Sequence, residues 1–225
     1  MPNLRHEKNN HADPVVYIID DDISMRESLT DLFRSVKIDA ESFESPDMFL
    51  AEAELERPGC IVLDVRLPGI SGLDFHKQLE QAGSLHPIVF MTGYGDISMS
   101  VRAMKAGAQD FLAKPFRDQD ILDAVFAALE RDATQRREVI CQSELASRFE
   151  ALTPREKEVM EAVVEGLMNK QIAYKLGISE ITVKLHRGNV MRKMNVRSVA
   201  ELVRLNVRAE ELRSDLSPSA IMRLA

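Results

Sequence analysis

Side chains suited to phosphoryl chemistry recur at the ends of short apolar runs in the first 115 residues. VVYIID (15–20) runs into Asp20-Asp21-Asp22, CIVLD (60–64) ends in Asp64, PIVFMT (87–92) in Thr92 and DFLAK (110–114) in Lys114. Clustered carboxylates repel one another and cannot all ionise cheaply without a cation. Mg²⁺ suits such a set because it is hard and takes oxygen ligands. A carboxylate oxygen of Asp64 beside such an ion is a nucleophile toward phosphorus. The Lys114 ammonium would share the phosphoryl charge, and the Thr92 hydroxyl could hydrogen-bond the acquired group. A single Asp at a strand end is most often a turn or cap residue, so the set carries the signal.

The positioning elements follow from the pattern. The apolar runs, with the weaker IDAESF (38–43), are short, rich in β-branched residues and continuous, as in strands buried on both faces of a parallel sheet. Helical patterns lie between them at 24–36, 46–56, 72–82, 96–107 and 118–131. Five βα units with right-handed crossovers predict an α/β fold, a doubly wound five-stranded parallel sheet. Such sheets carry their sites at the carboxyl ends of the strands, where the residues above fall. Residues 132–150 contain no Gly or Pro and read as a helical linker, either a solvated spacer or a rigid connector that transmits a dimer contact. From Leu152 the pattern is helical throughout. Thr153 is placed as an N-cap with Pro154 at the first helical position, helices stop at Gly166 and Gly177, Ser179 caps a third, and a fourth starts near Ser198. The expected division is a disordered leader at 1–14, an α/β domain at 15–131, the linker at 132–150, a smaller all-α four-helix domain at 151–210 and a flexible tail at 211–225.

The overall charge of −7 hides an asymmetry. Residues 1–150 hold 16 Lys+Arg and 27 Asp+Glu, a net −11; residues 151–225 hold 13 and 9, a net +4. An acidic part followed by a basic part suggests two jobs. No apolar run approaches the ~20 residues of a membrane span. The polar start lacks the apolar region of a signal peptide. Cys60 and Cys141, far apart in the chain, fit a reducing cytoplasm and no disulfide framework.

DDD (20–22), VLDVRLPGISG (62–72), TG (92–93) and DFLAKPF (110–116) resemble the receiver domain of two-component response regulators, a flavodoxin-like fold, over nearly all of 15–131. The resemblance implies Asp64 as phosphoacceptor, Asp20 and Asp21 as the acidic pair, and Asp21, Asp64 and the Arg66 carbonyl as direct Mg²⁺ ligands. It implies Thr92 and Phe111 as a switch pair, Lys114 as the phosphate-binding lysine, a cis Lys114-Pro115 bond, and a sensor histidine kinase as phosphodonor. Asp22 is a third acid where that family varies, and capping the next helix is its alternative role. Tyr94 is bulky near the phosphoryl position; shielding by it would lengthen the phosphorylated lifetime.

Helical-wheel geometry at about 100° per residue places Val183, Val190 and Met194 on a core stripe and Ile181, Leu185, Gly188 and Arg192 opposite, with Lys184 on the flank. LTPRE, NKQIA, LGIS, TVKLH and KMNV resemble the LuxR-type helix-turn-helix of NarL/FixJ-family regulators, closest to the FixJ-like group. That implies 179–194 as the recognition helix, Lys184 and Leu185 near bases, and Asn169, Lys170, Thr182 and Arg192 near the DNA backbone. Gly188 stands where relatives carry a long polar residue. His186 reads as packing rather than metal binding. The resemblance further implies pairing through a face containing Ser98, Val101, Arg102 and Lys105, so that a phosphorylated homodimer binds promoter DNA and RNA polymerase responds. The expected location is cytoplasmic, and no enzymatic activity is expected beyond self-catalysed phosphoryl transfer and autodephosphorylation. A phosphorelay protein whose C-terminal helices bind protein is the rival reading. An Asp-nucleophile phosphatase is disfavoured, since Asp64-Val65-Arg66 lacks a second acid two residues on.

Overall fold

A computed structural model describes residues 13–93 and 109–215. The chain divides into two compact units, Met1–Arg137 and Glu138–Ala225.

The first unit is a five-stranded parallel sheet in the order β2-β1-β3-β4-β5, from β1 (Val15–Ile19), β2 (Asp39–Phe43), β3 (Gly59–Asp64), β4 (Ile88–Thr92) and β5 (Asp110–Ala113). Every residue of β1, β3 and β4 is buried, which is why these runs are apolar without alternation. Alternate residues feed opposite faces. Tyr17, Ile19, Leu63 and Phe90 pack with α3 (Gly72–Gln81) residues Phe75 and Leu79, while Val16, Ile18, Val62 and Met91 pack with α1 (Ile23–Ser35) residues Leu29 and Phe33. Helix α2 (Pro46–Glu52) is shorter than the expected 46–56. The chain turns extended at Ala53, and Arg57, restricted by the following Pro58, is held by partners on other elements. Arg57 pairs with Asp39 at 2.6 Å and Glu41 at 3.3 Å, and donates to the Asp13 carbonyl.

Helix α4 (Asp118–Glu150) runs 33 residues, and the boundary between the units falls within it. The expected linker at 132–150 is helical, a continuation of the same helix, and its residues up to Arg137 group with the first unit. Asp132 is buried in the first unit, where its Oδ2 accepts from the Gly59 N–H at 3.0 Å. Arg136 Nε lies 2.9 Å from both Asp132 oxygens and its head also donates to the carbonyls of Glu56 and Arg57. Leu145 and Phe149 belong instead to the core of the second unit.

The second unit adds α5 (Pro154–Val164), α6 (Asn169–Leu176), α7 (Glu180–Lys193) and α8 (Val199–Asp215). Its start signals act as the sequence suggests. Thr153 and Glu156 form a reciprocal capping box with Pro154 in the first turn, Gly177 ends α6 in the left-handed conformation, and Ser179 accepts from the Thr182 N–H. Val159, Val163, Ile172, Val183, Val190, Met194 and Leu202 form the core. Helix α8 continues to Asp215, so the first five residues of the expected tail are helical.

Candidate functional site: an acidic pocket at the strand ends and an exposed helix face

The carboxyl ends of β1, β3, β4 and β5 deliver Asp20, Asp64, Thr92 and Lys114 to one rim of the sheet. Asp20, Asp21 and Asp64 each offer an oxygen within 4.8 Å of the others. Asp20 is held most firmly: its Oδ1 accepts from the Asp22 N–H at 2.9 Å and its Oδ2 from Lys114 Nζ at 2.5 Å, while Arg26 grips its carbonyl at 2.7 Å. Asp22 caps α1 through the Ser24 N–H, the second of the two roles considered for it. Lys114 Nζ also lies 3.6 Å from Asp64 Oδ1, an atom that is buried and has no hydrogen-bond partner among the described residues. Burial pushes the Asp64 carboxyl above its ordinary range; the Lys114 ammonium opposes this, Asp20 and Asp21 add to it, and the Arg66 N–H draws it down. A buried, under-satisfied carboxylate among two other acids fits a hard divalent cation.

Asp64 is fixed by the loop behind it. Leu67-Pro68-Gly69 turns through a left-handed Gly69, Ser71 caps α3, and the Gly72 N–H donates to the Val65 carbonyl at 3.0 Å. A Cβ on Gly72 would collide with the Asp64 carbonyl and Val65 Cα. Thr92 is fully buried, and Phe111 is partly buried against the α3-side core. The Lys114-Pro115 bond is cis. Ser98, Val101, Arg102, Lys105 and Tyr94 lie outside the described residues.

In the second unit, Lys184, Leu185, Gly188 and Arg192 lie exposed on one side of α7 while Val183 and Val190 are buried. Lys170 is exposed on α6. Three predicted contact residues have partners within the protein: Asn169 Oδ1 accepts from Arg187 at 3.0 Å, the Thr182 hydroxyl shares a 2.8 Å hydrogen bond with Ser179, and Arg192 donates to Asn189 Oδ1 at 3.3 Å. The charge pattern of α7 gave no sign of Arg187's role, and it equally hid that of Lys193. Lys193 Nζ reaches inward to Glu156 at 2.6 Å and to the Ala151 carbonyl at 2.9 Å, tying α7 to the start of α5. His186 is half-buried, in line with packing.

Residues 16–126 match the family described as response regulator receiver domain, and residues 150–206 match bacterial regulatory proteins, luxR family. Nodulation protein W of Bradyrhizobium diazoefficiens is 54% identical over 192 residues, covering 85% of each chain. Transcriptional regulatory protein FixJ of Azorhizobium caulinodans is 49% identical over 191 residues, covering 84% of this chain and 90% of that protein. Among solved structures, the response regulator StyR aligns with TM-score 0.83 at 48% identity, covering 88% of this chain and 100% of that one. Full-length FixJ from B. japonicum aligns with TM-score 0.54 at 39% identity, covering 88% and 98%. The chain belongs to the response regulators that join a receiver to a LuxR-type DNA-binding domain, in the FixJ-like group. It is a phosphorylation-dependent transcription regulator rather than a classical enzyme, and its domain pairing implies a sensor kinase and promoter DNA as partners. No helix among the described residues is long and apolar enough to cross a membrane.

Proposed function

We propose that Asp64 is the phosphoacceptor of a Mg²⁺-dependent receiver at 15–131 whose phosphorylation switches DNA binding by residues 151–210. The supporting observation is the shared pocket: three carboxylates within 4.8 Å and Lys114 between Asp20 and Asp64. Asp64 attacks the phosphorus of a kinase phosphohistidine; an O–P bond forms, the N–P bond breaks, and its electron pair returns to the imidazole. Mg²⁺ held by Asp21, Asp64 and the Arg66 carbonyl, with Asp20 supporting, would neutralise charge on the pocket and the phosphoryl oxygens. Lys114 then exchanges part of its contact with Asp20 for a phosphoryl oxygen. Thr92 moves toward the same group, and Phe111 turns into the space it leaves.

The face carrying Ser98, Val101, Arg102 and Lys105 then pairs two receivers. A dimer would present two α7 helices to half-sites about one helical turn apart, contacting DNA through Lys184, Leu185, Gly188, Arg192, Thr182, Asn169 and Lys170. RNA polymerase responds to the bound dimer, and the work is done in the cytoplasm. The test uses ³²P-labelled acetyl phosphate with Mg²⁺ on full-length protein. Wild type acquires a base-labile acyl phosphate, dimerises in sedimentation and binds DNA with a steep salt dependence. Asp64→Asn does none of these in response to phosphodonor; an Asp64→Asn protein that still labelled and dimerised would refute the assignment.

A further inference from the structure

Two large aliphatic side chains stand in water on the outer face of α7. Ile181 is 80% exposed and Leu185 63% exposed, one helical turn apart, and Gly188 follows on the same side. Scattered exposed aliphatics are ordinary. These two are set apart by their surroundings. The opposite side of the same helix supplies Val183 and Val190 to the core, so Ile181 and Leu185 are surplus to packing. Cations flank them, with Lys184 between them in sequence and Arg192 two turns on, both exposed. Gly188 is not required by the fold: its φ is not positive and a Cβ there would meet nothing within 4 Å. A helix-interior Gly nonetheless weakens the helix relative to Ala. The outer face of α7 thus offers two apolar knobs, then a bare backbone, with Lys184 and Arg192 beside them and the exposed Glu180 at its first turn.

We infer that Ile181 and Leu185 read thymine 5-methyl groups in the major groove, and that Gly188 lets the helix lie close enough for them to do so. This rests on the reading that α7 enters that groove. Neither side chain has a donor or acceptor, so neither can pair with a base edge. The thymine methyl is the apolar group that a base pair presents in the major groove. Four residues of helix rise about 6 Å and base pairs stack about 3.4 Å apart, so the two methyls lie within about two base-pair steps of each other. Lys184 supplies the polar contact between them, and Gly188 ends the direct reading, leaving the third turn without a base-specific side chain.

Binding duplexes are selected from a randomised pool with the full-length protein, and the winners are resynthesised with uracil replacing thymine one position at a time. Two positions per half-site lose affinity, about fourfold for each methyl, from the transfer value of one buried carbon. Leu185→Ala removes the sensitivity at one position and Ile181→Ala at the other, with the salt slope unchanged because phosphate contacts remain. Both side chains are exposed, and circular dichroism confirms folding. Gly188→Leu weakens binding to the selected duplex while leaving weak binding to random duplex intact. Sequence-selective binding that tolerates uracil at every position, or a uracil sensitivity that survives both alanine variants, overturns the methyl reading alone. Absence of salt-sensitive duplex binding by the wild type overturns the DNA reading and this inference with it.

Discussion

Asp132→Ala isolates the contact that joins α4 to the sheet. Asp132 is 1% exposed, and its two oxygens satisfy the buried Gly59 N–H and the Arg136 guanidinium. Alanine leaves the Gly59 N–H buried without a partner, at about 1–3 kcal/mol, and removes charged hydrogen bonds to Arg136 worth about 1.5–3 kcal/mol. The combined loss of about 3–5 kcal/mol matches what breaking one side of a buried ion pair costs. The readout is native-state hydrogen exchange by mass spectrometry, which resolves local stability. Amides of β1 and β3 should exchange roughly 10²- to 10⁴-fold faster, while those of α5, α6 and α7 keep their protection. Asp132→Asn, which retains an acceptor for Gly59, should lose less than half as much. A loss below about 1 kcal/mol, or no coupling between Asp132→Ala and Arg136→Met in a double-mutant cycle, would refute the reasoning.

Three further outcomes are expected. Glu156 is held down to about 2 by the Lys193 ammonium and the Thr153 N–H; its stabilisation is present above its ordinary value near 4.5 and lost as pH falls through about 2. Glu156→Gln should therefore weaken the second unit by about 1–2 kcal/mol at pH 7 in urea unfolding, and the difference should close in acid. His86 is held below its ordinary value by burial and by Arg136, against the upward pull of the Arg57 carbonyl, Asp132 and Glu56. It favours the folded state above about pH 6.5 and loses that contribution as pH falls, so His86→Gln should flatten the stability profile of the first unit between pH 7.5 and 5.5. Gly72→Ala should cost about 1–3 kcal/mol by overpacking against the Asp64 carbonyl and should slow labelling by acetyl phosphate, checked by melting and by initial rate.

The acidic pocket was legible because its members sit at strand ends, where a parallel sheet must bring them together whatever the details of packing. The helix starts of the second unit were legible because Thr153-Pro154 and Ser179 cap locally, through contacts within three residues. What escaped were the long-range polar contacts. Nothing in ERDATQRREV marks Asp132 as the acceptor for an N–H 73 residues away, and a charged stretch there reads equally well as a solvated spacer. Lys193 likewise looks like part of a basic helix face until its amine is seen 2.6 Å from Glu156, 37 residues earlier. The early end of α2 escaped for the same reason, since Arg57's partners lie on β2 and at Asp13.

The two rims of the sheet carry different polar clusters, and α4 starts a few residues beyond one and reaches the other. The acidic pocket lies where the strands end; the Gly59-Asp132-Arg136 clamp lies where β3 begins. Helix α4 starts at Asp118, four residues after Lys114, and reaches the clamp at Asp132. Fourteen residues of helix rise about 21 Å, close to the length of a six-residue strand at about 3.3 Å per residue. One rigid element therefore spans the sheet from the acidic rim to the opposite edge. Its inner face, Ile121, Val125 and Ala128, is fully buried and resists independent movement of its two ends. Under the proposed role of Lys114, its displacement on phosphorylation would have a stiff route to the far rim, whereas an exposed loop there would absorb it. Asp132 and Arg136 then act as the anchor that fixes where α4 leaves the receiver, so cutting the clamp should separate phosphorylation from its output without touching Asp64, the proposed phosphoacceptor.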